Sequence, residues 1–385
     1  MKPSRSRGLI ALSTTALALP GMVLADSPPV QSTVSYKYSR YQEDDVPRHE
    51  APFGKRDRYD IDVHQFRLLT PTGRNTDFQL DANHESLSGA SPWYTVPGAS
   101  GQPIVNMSGA SGIRDRRSEI SVAGHYYLDN GALGANLGYS EEDDYRAVYA
   151  GIDGLRHFNN ELTSVALSVS YSSDDLFPTD AALFGRIQSA HKHSLSAYAS
   201  VSQIINQTTV LQSALTLTEQ DGYLSDPYKL RDVRPGDKTQ IAWANSLRKF
   251  FVEADAALHV NYRYYHDDFG ISSHTLDMAW HQNLGNRLQV VPAVRYYTQS
   301  AADFYTNIDD FLKPLDQAQS SDSRLSAFGA VSGSLSLVTR LSDWTVNLSV
   351  ERYVAREKYS GFAVREPGTA LVQYYRASLG VDYSF

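Results

Sequence analysis

From Gln31 to Phe385, apolar and polar residues alternate one by one in runs of about ten, separated by clusters of turn-forming residues. The last run shows the pattern plainly. Leu379, Val381, Tyr383 and Phe385 fall on one side of an extended chain, and Ser378, Asp382 and Ser384 on the other. A period of two is that of a β-strand with one apolar and one wet face. Counting such runs predicts about 16 strands. Their apolar faces include Val34, Tyr36 and Tyr38; Tyr59, Ile61 and Val63; Leu133, Leu137 and Tyr139; Tyr145, Ala147 and Tyr149; Leu258, Val260 and Tyr262; and Leu325, Ala327 and Val331.

The gaps between runs carry a second pattern. Every even gap is short and holds turn chemistry, as in Pro71-Thr72-Gly73-Arg74, Asp129-Asn130-Gly131, Asn159-Asn160 and Leu284-Gly285-Asn286. Only the turn near Phe250-Phe251-Val252 lacks it. The odd gaps at 42–57, 84–115, 172–190, 219–237, 299–322 and 354–369 are long, and the fifth and eleventh are short. Short turns at one end and long loops at the other describe an all-β, transmembrane antiparallel barrel of the outer-membrane type. A closed barrel needs its last strand paired with its first, so that no edge is left in lipid. Tyr383 and Phe385 therefore read as the sheet end, and as the signal that barrel-assembly machinery recognises.

Composition then adds location. Met1 to Arg7 carries Lys2, Arg5 and Arg7, an apolar stretch runs to Leu24, and Val23-Leu24-Ala25 is a cleavage pattern. Residues 1–25 read as a secretory signal peptide, and residues 26–385 as one barrel domain. Removing those three basic residues takes the formal net charge from −8 to −11, which argues against nucleic acid as a partner. There is no cysteine, hence no disulfide, thiolate metal site or thiol nucleophile. The chain has 25 Tyr against 14 Phe, as expected if rings sit at membrane interfaces. A soluble β-sandwich is the alternative, but it does not unite the terminal aromatic, the loop asymmetry and the strand number.

Four stretches resemble the DUF3570 family of predicted outer-membrane β-barrel proteins: Met107-Ser108-Gly109-Ala110-Ser111 with Asp115 and Arg116; Gly222 to Lys229; Arg263-Tyr264-Tyr265 through Asp267-Asp268 and Gly270 to Thr275; and Arg295-Tyr296-Tyr297 through Gln299 to Tyr305. Asp267-Asp268-Phe269-Gly270 departs from the family pattern only in carrying Phe where Trp is common. The resemblance implies a barrel fold and an outer-membrane location, and no established activity.

Several constellations are candidates for chemistry. By alternation, Asp60, Asp62, Glu119, His125, His259, Arg263, Asp277, His281, Arg295, Glu351, Arg376 and Asp382 are expected to face the lumen, with Asn261 and Asn347. A wall of both signs suits a water-filled channel or a barrel plugged by internal ion pairs. Tyr223, Asp226, Tyr228, Lys229 and Arg234 lie in a long loop that can fold inward as a constriction or stay as a compact surface loop. Asp174 and Asp175, Asp267 and Asp268, and Asp309 and Asp310 are carboxylate pairs that suit divalent cations or a solvated acidic rim shared with lipid and lipopolysaccharide. Ser273, His274 and Asp267 or Asp268 are the candidates for rim catalysis, and His191 and His193 share a strand face without a third ligand. Gly-Ala-Ser triplets at 89–91, 98–100 and 109–111 read as loop packing. No cofactor and no enzymatic activity is expected. The functional expectation is passage of small polar solutes or ions. The alternative is a non-conducting sleeve or docking scaffold for a periplasmic or surface partner.

Overall fold

A computed structural model describes residues 27–108 and 113–385. The predicted signal peptide and the triplet at 109–111 lie outside the described residues. The strands are β1 (Thr33–Glu43), β2 (Asp60–Pro71), β3 (Thr76–Gly89), β4 (Pro92–Pro97), β5 (Pro103–Met107), β6 (Ile113–Leu128), β7 (Gly131–Glu141), β8 (Tyr145–Phe158), β9 (Thr163–Leu176), β10 (Ala190–Asn206), β11 (Thr209–Gly222), β12 (Asp237–Phe251), β13 (Ala256–Asp267), β14 (Ser272–Leu284), β15 (Leu288–Gln299), β16 (Phe328–Leu341), β17 (Trp344–Arg356) and β18 (Gln373–Ser384). All but β4 and β5 form one closed antiparallel barrel, so the barrel has 16 strands. Each strand pairs with its chain neighbour, and β1 closes on β18 with Val34 opposite Tyr383 and Ser39 opposite Ser378. Beyond that ladder, the Phe385 amide donates to the Ser32 carbonyl at 2.9 Å.

The short turns work because their residues accept left-handed backbone. Asn159, Asn160 and Glu161 have φ of 52°, 53° and 67°, and Ser342 has 53°. The weakly signalled turn after Phe251 is closed by Asp255, with φ 45°. Gly131 is required where it stands: at φ 156° a Cβ would lie 2.0 Å from the Leu155 carbonyl oxygen.

Alternation sorts the two faces. Leu133, Leu137 and Tyr139 of β7, Leu167, Val169 and Tyr171 of β9, and Leu335 and Leu337 of β16 are exposed on the outside. Their inward neighbours are small and polar: Asn136 and Gly138, Ser168 and Ser170, Ser332, Ser334 and Ser336. Aromatic residues mark both ends of the apolar belt. Trp344 packs on Tyr383 at the short-turn end, with ring centroids 4.5 Å apart. On the outer face three Tyr–His pairs repeat one diagonal geometry across β1–β2, β9–β10 and β13–β14, the last two toward the long-loop end. Tyr36 meets His64 at 2.7 Å, Tyr171 meets His193 at 2.9 Å, and Tyr262 meets His274 at 2.8 Å.

Two strands present the face opposite to the one their sequence suggests. On β2, Ile61 and Val63 are buried inward with Tyr41, Tyr59 and Leu87. The pleat therefore puts Asp60 and Asp62 outward with Phe66, where Arg40 and Tyr38 meet them. On β8, Tyr145 and Tyr149 point inward to Asp174 and Glu119. The fourteenth run also starts later than predicted, since Leu325 ends a short 3₁₀ turn and β16 begins at Phe328. Among the described residues, no helix is long and apolar enough to cross a membrane, which says nothing of strands.

Candidate functional site: a loop cap over a polar lumen

Gly222 closes β11 in a conformation that only glycine tolerates, with φ 116° and a notional Cβ 2.3 Å from the His191 carbonyl oxygen. The chain then leaves the wall as the loop 223–236. That loop meets two others rooted well away from it around the barrel. The Leu230 amide donates to the Trp93 carbonyl at 3.0 Å, which reaches the β4–β5 hairpin. Val233 and Gln319 exchange two backbone hydrogen bonds of 2.8 Å, which ties in the loop between β15 and β16. Thr95 and Asp309 join those two in turn: the Thr95 amide donates to the Asp309 carboxylate at 2.8 Å, and the Asp309 amide returns to the Thr95 carbonyl at 3.0 Å. The three roots lie between β3 and β6, β11 and β12, and β15 and β16 in the barrel order. Loops from such separated roots can only meet by crossing the mouth.

Charge holds the junction. Arg234 grips Asp232 in a fork, Nε to Oδ1 and Nη2 to Oδ2, both at 2.8 Å, and its Nη2 also reaches Asp322 at 2.9 Å. Arg324 binds Asp322 through Nε at 2.9–3.0 Å and reaches Asp226 at 3.4 Å. Ser320 donates to Asp232 at 2.6 Å. Asp232 and Asp322 are buried. Burial alone would raise the Asp322 carboxyl, but Arg324, Lys229 and Arg234 hold it well below the usual carboxylate range. Burial wins at Asp226, whose carboxyl is raised despite Arg324. Bidentate, desolvated pairs of this kind fix geometry more firmly than surface pairs do.

The remaining loops fasten the rim. Tyr228 donates to Asp144 in the β7–β8 turn and accepts the Thr179 amide at 3.0 Å. Glu50 accepts the Ala370 amide at 2.5 Å, and its carbonyl accepts the Val105 amide at 2.8 Å. Tyr305 donates to the Pro367 carbonyl at 3.4 Å. The residues singled out in the 223–236 loop thus lie within the cap. Its partners Asp322 and Arg324 and the β4–β5 hairpin gave no comparable signal, although Val96-Pro97-Gly98 to Gln102-Pro103-Ile104 has turn residues between two short apolar runs.

Below the cap, Glu119, His125, His259, Arg263, Asp277, His281, Arg295, Glu351, Arg376 and Asp382 share the inward face set by the pleat. Glu119 meets Arg117 at 3.2 Å, His125 meets Asp77 at 2.9 Å, Arg295 meets Asp277 at 3.6 Å, and Arg376 meets Glu351 at 2.6 Å. Asp60 and Asp62 do not join them, for the reason given above.

The candidate cation pairs come apart. Adjacent residues on a strand point to opposite faces, so Asp174 turns inward to Lys192 at 3.0 Å and Asp175 outward to His191 at 2.5 Å. Asp267 is buried against Lys238 at 2.8 Å, while Asp268 caps the Thr239 amide at 2.8 Å. Asp309 holds Thr95, and Asp310 accepts the Leu312 amide at 2.8 Å. Among the described residues the only carboxylate trio that converges is Asp115, Glu142 and Asp144, with ligand atoms within 4.8 Å. Burial, followed by Asp115, pushes the Glu142 carboxyl up to about 8. The catalytic candidates are also divided: Ser273 faces inward and is buried, while His274 faces outward against Tyr262. A nucleophile and base on opposite sides of a sheet cannot share a proton.

The model of the family described as "Protein of unknown function (DUF3570)" matches residues 9–370. No curated protein matches the sequence. Among solved structures, the chain is similar to CdiB from Acinetobacter baumannii, with 9% identity and a TM-score of 0.52, over 92% of this chain and 60% of that one. It is similar to a bacterial polysaccharide outer membrane secretin at 8% identity and a TM-score of 0.50, over 92% and 98%. The siderophore receptor PirA from Pseudomonas aeruginosa gives 11% identity and a TM-score of 0.47, over 92% and 62%. The chain thus spans about three-fifths of the length of CdiB and PirA. At these identities the likeness is one of fold.

Proposed function

The chain belongs to the DUF3570 family, and from that premise we propose that it is an outer-membrane barrel, exported on a cleaved signal peptide, that passes small polar solutes or ions through a lumen capped on its long-loop side. The observation that carries this reading is a Ser-lined inner wall beneath a cap built only from surface loops. The apolar belt bounded by aromatic girdles gives the barrel its place in a bilayer. Its outward Tyr–His pairs would meet the headgroups of lipid and lipopolysaccharide. Divalent cations at the acidic rim and assembly machinery at the β18 end complete the expected partners.

The cap itself favours a second reading. Ion-paired loops that stay shut make a sleeve or docking face for a partner rather than a conduit. Liposome swelling separates the two. Folded full-length protein in liposomes should admit small sugars or salts, faster when Arg234 is replaced by Ala. Sealed liposomes with both proteins, each migrating as a folded barrel, would leave the scaffold reading standing.

A further inference from the structure

Among the described residues, most inward-facing arginines of the barrel wall have a carboxylate within ion-pair reach. Arg117 has Glu119, Arg67 has Asp81 at 2.6 Å, Arg295 has Asp277, and Arg376 has Glu351. Three break the rule: Arg340 at the short-turn end of β16, and two that stand on adjacent strands. Arg248 of β12 bonds only the neighbouring Leu247 carbonyl, at 3.1 Å, and Arg263 of β13 lies over the Tyr265 ring, 5.5 Å from its centroid. Arg248 is directly opposite His259 in the β12–β13 ladder, with Ser246 and Asn261 the next inward pair above. The His259 ring in turn packs against that of His281 from β14, centroids 4.0 Å apart and planes tilted by 39°. Gln289 of β15 fixes His281 through Nδ1 at 3.3 Å.

We propose that Arg248, His259 and His281 form a binding site for small oxyanions, inorganic phosphate or carboxylate solutes, on the inner wall at the short-turn mouth of the lumen. Three groups that are cationic or can become so are gathered here with no carboxylate among them. Their mutual repulsion is relieved by an anion rather than by the protein. The guanidinium fork matches an oxyanion bidentately. The two imidazoles can turn ring N–H groups to the same anion. Asn261 already accepts from Ser246 at 2.9 Å, so its amide N–H groups remain to contact a second oxygen. Arg263, four positions above His259 on the same face, extends the cationic wall toward the cap by roughly 13 Å.

The inference rests on the reading of the lumen as water-filled and not on conduction. The test is ³¹P NMR of inorganic phosphate titrated with detergent-folded full-length protein, comparing wild type with Arg248→Gln and with His259→Gln/His281→Gln. Gel mobility before and after boiling certifies that each variant is a folded barrel. The expected result is phosphate line broadening by wild type, weakened about tenfold in either variant. Absent broadening in wild type, or equal broadening in all three, overturns the site. Broadening without solute flux would keep the site and remove the passage reading.

Discussion

Arg234 of the 223–236 loop and Asp322 of the 300–327 loop are 88 residues apart in sequence, and their side chains meet at 2.9 Å over the mouth of the barrel. The contact ties together two loops rooted between different strand pairs. Both partners are largely shielded, with side-chain exposures of 15% and 4%. Removing Arg234 leaves the buried Asp232 without its cation, at a cost of about 3–5 kcal/mol, while Asp322 keeps Arg324.

Arg234→Ala should therefore loosen the cap while sparing the wall. A local cost of that size shifts the opening equilibrium by at least about a hundredfold. Limited proteolysis of the folded variant should cut within 300–327 far faster than wild type. Equal cutting rates would mean that the backbone bonds of Val233 with Gln319 hold the cap unaided.

Glu142 supplies a pH dependence with a definite sign. Its carboxyl rises from an ordinary 4.5 to about 8 in the folded chain. The native state thus holds the proton more tightly than the unfolded state. Its stabilisation is complete below pH 4.5 and is lost as pH rises toward 8, with a slope up to about 1.4 kcal/mol per pH unit. Urea unfolding between pH 5 and 9 should show this decline, and Glu142→Gln should flatten it. Parallel curves for the two proteins would remove Glu142 as the cause.

The reversed face of β2 predicts opposite fates for neighbouring residues. Val63 is fully buried among Tyr41, Tyr59, Ile61 and Leu87, so Val63→Asp places a charge without a counterion in an apolar cluster and should prevent assembly of a heat-modifiable barrel. Asp62 is partly exposed beside Arg40, and Asp62→Asn should cost less than about 1 kcal/mol. Gel mobility of unheated samples reads both. A folded Val63→Asp variant with a failed Asp62→Asn would restore the opposite register.

Gly222 and Gly185 make a controlled pair. Both have positive φ, but a Cβ at Gly222 collides with the His191 carbonyl, while nothing lies within 4 Å of one at Gly185. Gly222→Ala should unpair the loop end of β10 and β11 and expose 223–236 to protease. Gly185→Ala should cost only the left-handed penalty of about 1–2 kcal/mol. Equal effects of the two substitutions would show that the close approach at Gly222 is unimportant.

Alternation made the wall legible because burial in a barrel is decided locally, residue by residue. The runs at Leu133 to Tyr139 and Leu258 to Tyr262 needed nothing beyond the period. It misled where both faces are apolar. On β8, Tyr145, Ala147 and Tyr149 compete with Val148, Ala150 and Ile152, and only the carboxylates of Asp174 and Glu119 across the ladder decide which set turns in. On β2 the apolar set packs inward because the capped end has a core of its own. The cap was the least legible part. Asp322, Arg324 and Ser320 meet the 223–236 loop at separations of 88 to 98 residues, and nothing local marks them.

Single-channel recording in a planar bilayer, with purified full-length protein and its Arg234→Ala variant, tests the account most directly. A capped conduit gives discrete current steps from wild type with long closed intervals, and the same step size with far shorter closures from the variant. Folded barrels of both proteins that give no steps would contradict it.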